Sequence, residues 1–196
     1  MKHTCYMIAS DLHGSALYTR QLLEAYRQSG AEQLILLGDL LYHGPRNPLP
    51  QGYDPQEVTA LLNPLADKIV AVRGNCDAEV DQMLLQFPMM ADYALLAVDG
   101  HRLFLTHGHL YNTENPPHLS RGDVLLHGHT HVPACLHHPG GWWYLNPGSV
   151  TLPKEDSPRG YMLLEDGEFR WVTLEGRIYK TFPLNDAHTT IARSLF

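Results

Sequence analysis

The chain has 196 residues, 44% of them hydrophobic, enough for one substantial core and, by length, for a single domain over residues 1–196. A formal charge of −7, built from interspersed acidic and basic residues, lacks the basic block that nucleic acid or an anionic membrane surface would require. No stretch approaches ~20 apolar residues, and Asp11 and His13 interrupt the N-terminal apolar run before a signal-peptide core forms. Cys5, Cys76 and Cys135 are odd in number and form no CxxC pair, which suits a reducing compartment, so a cytoplasmic protein is expected. Thirteen histidines is a high count, and metal ions are a common reason to accumulate them.

In chain order, "CYMIAS" reads as a short buried strand, and "SALYTRQLLEAYRQSG" as a helix with Ser15 at its N-cap and Gly30 at its stop. "QLILLGD" is a second strand, followed by the Pro- and Gly-rich loop "YHGPRNPLPQGYDP", long enough to be functional. "PQEVTALLNPLA" is a short helix, "KIVAVRGN" a third strand, and "DAEVDQMLLQF" a helix capped by Asp77. This β-α-β-α-β order predicts a parallel sheet. Strands dominate thereafter: "ALLAVDGHRLFLTHG" and "YMLLEDGEFRWVTL" carry Asp-Gly hairpin turns, and Gly140-Gly141 marks another. The simplest architecture is α/β, two sheets packed face to face with helices outside.

Polar side chains collect where these strands end: Asp11 and His13, then Asp39, Asn75, His107, His129 and His131. Open α/β sheets bind ligands just beyond the carboxyl ends of their strands, so these groups can converge in space. Singly, each motif is also an ordinary turn or a solvated edge. As a set, carboxylate, amide and imidazole donors without a cysteine cluster suit divalent Mn, Fe, Zn or Ni over a structural thiolate zinc site.

DLH at 11–13, GD at 38–39, GNCD at 74–77, HGH at 107–109 and GHTH at 128–131 resemble, in identity, order and spacing, the five signature blocks of the calcineurin-like metallophosphoesterase superfamily. NPGS at 146–149 resembles a block that follows in its small bacterial members, and among them the chain looks closest to the single-domain, manganese-dependent phosphodiesterases. The resemblance implies a four-layer α-β-β-α sandwich of two mixed sheets, and two divalent ions, Mn2+ foremost. Asp11, His13, Asp39 and His131 would hold the first ion and Asp39, Asn75, His107 and His129 the second, with Asp39 bridging. His127 then points away or caps its strand. Such a pair, roughly 3.5–4 Å apart, polarises a phosphoryl group and holds a bridging hydroxide that attacks phosphorus in line.

Two departures bear on the substrate. Many members have GNH where this chain has Gly74-Asn75-Cys76, and a thiol is a weak substitute for that proton-donating imidazole, which points to diesters or activated leaving groups. Cys76 equally suits a small buried residue at a tight turn. Protein phosphatases carry GDxxDRG, whereas "GDLLYHG" puts His43 at the arginine, which argues against that activity. His109 is a candidate phosphate donor or acid, or an exposed histidine; Arg46 is a candidate phosphate clamp, or a surface arginine. Asp77 orients a ligand or caps the following helix, and of Trp142 and Trp143 at most one faces a pocket. A small phosphoester substrate is expected, and an edge strand in residues 151–196 suggests a homodimer or higher homo-oligomer. The alternatives are a phosphomonoesterase or nucleotide hydrolase on the same site, or a scaffold like the retromer subunit that shares the fold.

Overall fold

A computed structural model describes residues 5–185, so the ends of the expected 1–196 domain lie outside the described residues. Strand β1 (Cys5–Ala9) leads into α1 (Ala16–Ser29), then β2 (Gln33–Leu36), α2 (Pro55–Leu62), β3 (Ile69–Ala71) and α3 (Glu79–Leu84). Eight strands follow: β4 (Tyr93–Val98), β5 (His101–Thr106), β6 (Val124–His127), β7 (Ala134–His137), β8 (Trp143–Asn146), β9 (Gly160–Glu165), β10 (Glu168–Thr173) and β11 (Ile178–Pro183). One sheet has the order β11-β10-β9-β1-β2-β3 and the other β4-β5-β6-β8-β7. Both are mixed: β1-β2-β3 and β5-β6-β8 run parallel, and antiparallel strands complete each sheet.

Side-chain alternation along the strands builds two cores from one sheet. In β1 and β2, Met7, Ala9, Leu34 and Leu36 join the helix-covered cluster with Leu22, Tyr26, Val58 and Leu62. Ile8 and Ile35 face the opposite way, into the layer between the sheets with Leu103, Leu105, Leu126, Leu145 and Trp171. A one-residue slip would exchange the two sets, so the pairing of Ile8 with Ile35 is strongly specified.

Local signals account for most element ends. The Ser15 hydroxyl accepts from Tyr18 N–H, and Gly30 closes α1 in the left-handed region at φ 70°. Asp99-Gly100 and Asp166-Gly167 both take positive φ, as the two-residue hairpin turns require. Three expectations need correction. The "KIVAVRGN" strand ends at Ala71, because Arg73 turns to bond the Ala91 carbonyl. The "PQEVTALLNPLA" helix stops at Leu62 and continues as a 3-10 turn over Asn63–Lys68, since Pro64 cannot donate an α-helical bond. Asp77 does not cap α3; Ala78 occupies that position and its N–H donates to Asp81 Oδ2.

The helices lie over the six-stranded sheet. Across the outer face of the other sheet, Tyr111 and Leu119 of the segment 107–123 pack on Phe104, Leu125, Trp142 and Tyr144, so this loop covers that face. Among the described residues no helix is long and apolar enough to cross a membrane.

Candidate metal centre

The seven residues singled out at strand ends come together. Asp11 and His13 follow β1, Asp39 follows β2, Asn75 lies beyond β3, His107 follows β5, and His129 and His131 follow β6. On one side, His13 Nε2 lies 3.2 Å from His131 Nε2, 3.6 Å from Asp11 Oδ1 and 3.7 Å from Asp39 Oδ2, with His131 Nε2 3.2 Å from Asp11 Oδ1. On the other, His107 Nε2 lies 3.0 Å from Asn75 Oδ1, 3.2 Å from His129 Nδ1 and 3.4 Å from Asp39 Oδ2. One oxygen, Asp39 Oδ2, thus stands between two groups of donors. The second carboxylate oxygen, Oδ1, is engaged by the Cys76 backbone N–H at 2.8 Å.

Hydrogen bonding decides what these atoms are. His13 Nδ1 meets the Tyr42 carbonyl at 2.9 Å, His107 Nδ1 the Leu37 carbonyl at 2.7 Å and His131 Nδ1 the Leu152 carbonyl at 2.6 Å. A carbonyl only accepts, so each Nδ1 carries the proton, and in the neutral ring each inward Nε2 is a lone pair. With both rings neutral, the lone pairs of His13 and His131 face one another, beside Asp11 Oδ1, which is buried without a hydrogen-bond partner. Acceptors converging on acceptors are repulsive unless positive charge lies among them, and imidazoles fixed by an outer carbonyl are the arrangement found around protein-bound metals. The donor set fits divalent cations.

The electrostatics agree. Burial alone would raise the Asp11 carboxyl, but its interactions with His13 and His131 outweigh burial and hold it well below the carboxylate range. Burial opposes protonation of His107, yet its bond to Asp39 and the charges of Asp11 and Asp39 lift it to about 9. Burial and the neighbouring His107 charge lower His129. The carboxylates thus draw positive charge into the cluster.

The backbone is shaped for this convergence at a cost. Asp11, His13, Asp39, His129 and His131 all have φ between 47° and 65°, the left-handed region that side chains rarely adopt. Strain of this kind persists where surrounding contacts over-determine it. Those contacts are visible. The Asp77 carboxylate accepts from the N–H groups of Asp39 (2.8 Å), Leu40 (2.8 Å) and Gly74 (2.7 Å), tying the loops after β2 and β3 together. The end of β8 and the residues after it do the same for two others: Ser149 Oγ donates to Asp11 O, Thr151 Oγ1 to Leu12 O, and Asn146 Nδ2 to Gly128 O. A side chain at Gly128 would collide with Ser10 Oγ and Asp11 Oδ2, so glycine there permits a close approach of two ligand loops.

The remaining candidates are distributed unevenly. A cavity of about 880 Å³ opens onto Asp39, Asn75, His129 and His131, and its walls include Cys76, Tyr42, Pro45, Arg46, Asn47 and Lys154. Cys76 and Arg46 therefore face it. Burial and the Asp39 charge push the Cys76 thiol up to about 12, and its sulfur, 3.3 Å from Asn75 Nδ2, lies near the donor atoms of His13 and Asp39. His43 is absent from the lining; its ring packs edge-on between Tyr42 and Tyr53. His109 is likewise outside the lining, with its ring 5.5 Å from that of His107, and burial followed by the His107 charge holds it down to about 4. His127 stacks on Tyr144 at 4.2 Å, away from the ligand atoms. Trp142 is buried in the outer cluster and Trp143 packs on Phe182. Tyr42 and Lys154 went unremarked in the sequence: neither lies in a signature block, and no local pattern marks them.

The calcineurin-like phosphoesterase superfamily domain matches residues 5–167. The chain belongs to that superfamily. As a member of the calcineurin-like phosphoesterases it is a hydrolase whose family implies divalent metal ions. It is 52% identical over 160 residues to Escherichia coli phosphodiesterase YfcE, covering 82% of this chain and 86% of that one. The structure of E. coli YfcE, described as a phosphoesterase, superposes with a TM-score of 0.90 at 46% identity, over 93% of this chain and all of that one. Entamoeba histolytica Vps29, solved in complex with zinc, shares the fold at a TM-score of 0.61 and 21% identity, over 93% of this chain and 100% of that one.

Proposed function

We propose that this protein is a manganese-dependent phosphodiesterase with a binuclear centre, acting in the cytoplasm on a small phosphoester. The observation that carries the reading is the convergence of metal-donor atoms at the strand ends, with Asp11 Oδ1 buried beside the His13 and His131 nitrogens and three imidazoles fixed from outside by carbonyls. Asp11, His13, Asp39 and His131 would hold one ion and Asp39, Asn75, His107 and His129 the other. When bound, the ions supply Lewis acidity toward the phosphoryl oxygens and acidify water toward neutrality.

This chain's own residues do the rest. Asp39 Oδ2 stands between the two donor groups, and the N–H bond to its Oδ1 keeps the carboxylate from rotating. For His13, His107 and His131, lodging the outer Nδ1 on a carbonyl keeps the inner nitrogen a donor to metal. His109 and His43 do not line the cavity, and the Cys76 thiol that does is a weak proton donor. A reaction here favours leaving groups that depart without a proton, in agreement with diesters or activated esters, and the relative YfcE carries the name phosphodiesterase.

Manganese is inferred from hard oxygen donors combined with imidazoles and a protonated thiol. The three cysteines are unbridged, which supports a reducing compartment. A single domain over 1–196, no nucleic-acid or membrane partner, and a homodimer or higher oligomer complete the reading.

The test is hydrolysis of bis(p-nitrophenyl) phosphate by metal-stripped protein, before and after Mn2+ is restored. Activity should return with Mn2+ and be lost in Asp39→Asn and His129→Ala. Turnover retained in both variants would exclude this site. Thermal stabilisation by Mn2+ without turnover of any mono- or diester would favour the scaffold.

A further inference from the structure

The cavity over the ligand cluster is far larger than one phosphoryl group needs, since pockets of ~300–1,000 Å³ accommodate whole small molecules. Its charges are arranged in depth. The floor holds the ligand cluster, with Asp39 and His131 buried. The two full cations that line it, Arg46 and Lys154, are both exposed and so stand at its solvent end. They come from elements distant in sequence, the loop after β2 and the loop before β9, and among the described residues neither pairs with a carboxylate.

Both are held in place by their backbones. Arg46 sits inside a tight turn closed by the Asn47 N–H to the Gly44 carbonyl at 3.2 Å and by Asn47 Nδ2 to the His43 carbonyl at 2.8 Å, between Pro45 and Pro48. The Lys154 N–H donates to the His131 carbonyl at 3.2 Å, and the Lys154 carbonyl accepts from Ser157 Oγ at 2.6 Å, so this lysine is tethered to a residue of the cluster itself. Neighbouring Glu155 and Asp156 do not line the cavity, and the Asp77 carboxylate that does is taken up by three backbone N–H groups. In a chain of net charge −7, two cations without carboxylate partners at one cavity mouth mark a place for a second anion.

We infer that Arg46 and Lys154 form an anion-recognition pair that selects phosphodiesters whose non-leaving group carries a further anionic group, a phosphate-type or a carboxylate oxygen cluster. The inference rests on the phosphodiesterase reading. It assigns the reacting phosphoryl to the floor and the second anion to the rim, with Arg46 offering a planar fork and Lys154 a point charge. No atom of the rim pair takes part in bond making or breaking.

The test uses three p-nitrophenyl diesters with one leaving group and different second alcohols: propyl, 3-carboxypropyl and 3-phosphonopropyl. Each is assayed as kcat/KM with the Mn2+-loaded protein. The anionic substrates should be preferred over propyl by about tenfold or more at low salt, and Arg46→Gln or Lys154→Gln should each reduce that ratio about three- to tenfold. The charge-preserving Arg46→Lys and Lys154→Arg should retain most of it, and raising ionic strength should compress it. Which anionic arm leads separates phosphate-type from carboxylate substrates. Calorimetric binding of the corresponding uncleavable phosphonates, with the scissile oxygen replaced by CH2, gives a second readout in which the same preference should disappear in the double variant. Equal kcat/KM for the three substrates, or a preference surviving in the double Gln variant, would overturn the inference. Absence of hydrolysis on all three would instead refute the phosphodiesterase reading, and the binding arm would still decide the rim pair.

Discussion

Asp77→Asn changes one atom and tests whether the strained ligand loops are held by that carboxylate. Oδ2 of Asp77 accepts from both Asp39 and Gly74 N–H, and Oδ1 accepts from Leu40 N–H. An asparagine can keep its oxygen at the first position and retain two bonds, but its NH2 group then faces the Leu40 N–H. Stranding that donor costs about 1–3 kcal/mol, and turning two charge-assisted bonds into neutral ones costs about 0.5–1 kcal/mol each. Burial pushes the Asp77 carboxyl up to about 6, with the three N–H bonds opposing it, so the anion is not strongly favoured and the lower end of these ranges applies. The expected loss is about 2–3 kcal/mol, a midpoint drop of roughly 4–12 °C for a chain of this size. Because the released Leu40 N–H follows Asp39 directly and the two retained bonds on Asp39 and Gly74 are weakened, Mn2+ affinity should also fall ~10–100-fold. Thermal melts with and without Mn2+, together with calorimetric titration, read both quantities. A variant that melts within about a degree of the parent and binds Mn2+ equally well would refute the reasoning.

Other outcomes follow from particular contacts. Gly128→Ala places a methyl against Ser10 Oγ and Asp11 Oδ2 and should destabilise by about 1–3 kcal/mol while abolishing Mn2+ binding by calorimetry. Gly30→Ala, at φ 70° with open space around it, should cost about 1 kcal/mol and leave Mn2+ binding intact. Burial lifts the Cys5 and Cys135 thiols to about 11, and a thiol with a raised pKa stays protonated until the pH passes it. Iodoacetamide at pH 8 should therefore modify both on the order of 100-fold more slowly than a free thiol, by mass spectrometry, with protection lost in urea.

Features with local causes were legible in the sequence. Ser15 and Gly30 bound α1 through their own backbone and side-chain chemistry, and the two Asp-Gly pairs make hairpins because both residues tolerate positive φ. The strand-end groups were legible because parallel strands that end together bring their next residues together, whatever their separation in the chain. What remained hidden depends on partners far apart in sequence. Asp77 precedes a helix and reads as its cap, yet its acceptors serve N–H groups of a loop nearly forty residues away as well as its own. Lys154 lies in a region without motifs and becomes notable only because its N–H meets His131 O at the cavity. The loop layer over the five-stranded sheet was also unreadable, since Tyr111 and Leu119 have no helical or alternating period around them.

Anomalous scattering from a crystal soaked in Mn2+ locates the ions themselves. Two peaks are expected about 3.5–4 Å apart on either side of Asp39 Oδ2, one facing His13 and His131 and the other His107 and His129. A map with no peak among these residues, under conditions where Mn2+ supports turnover, would contradict the binuclear reading.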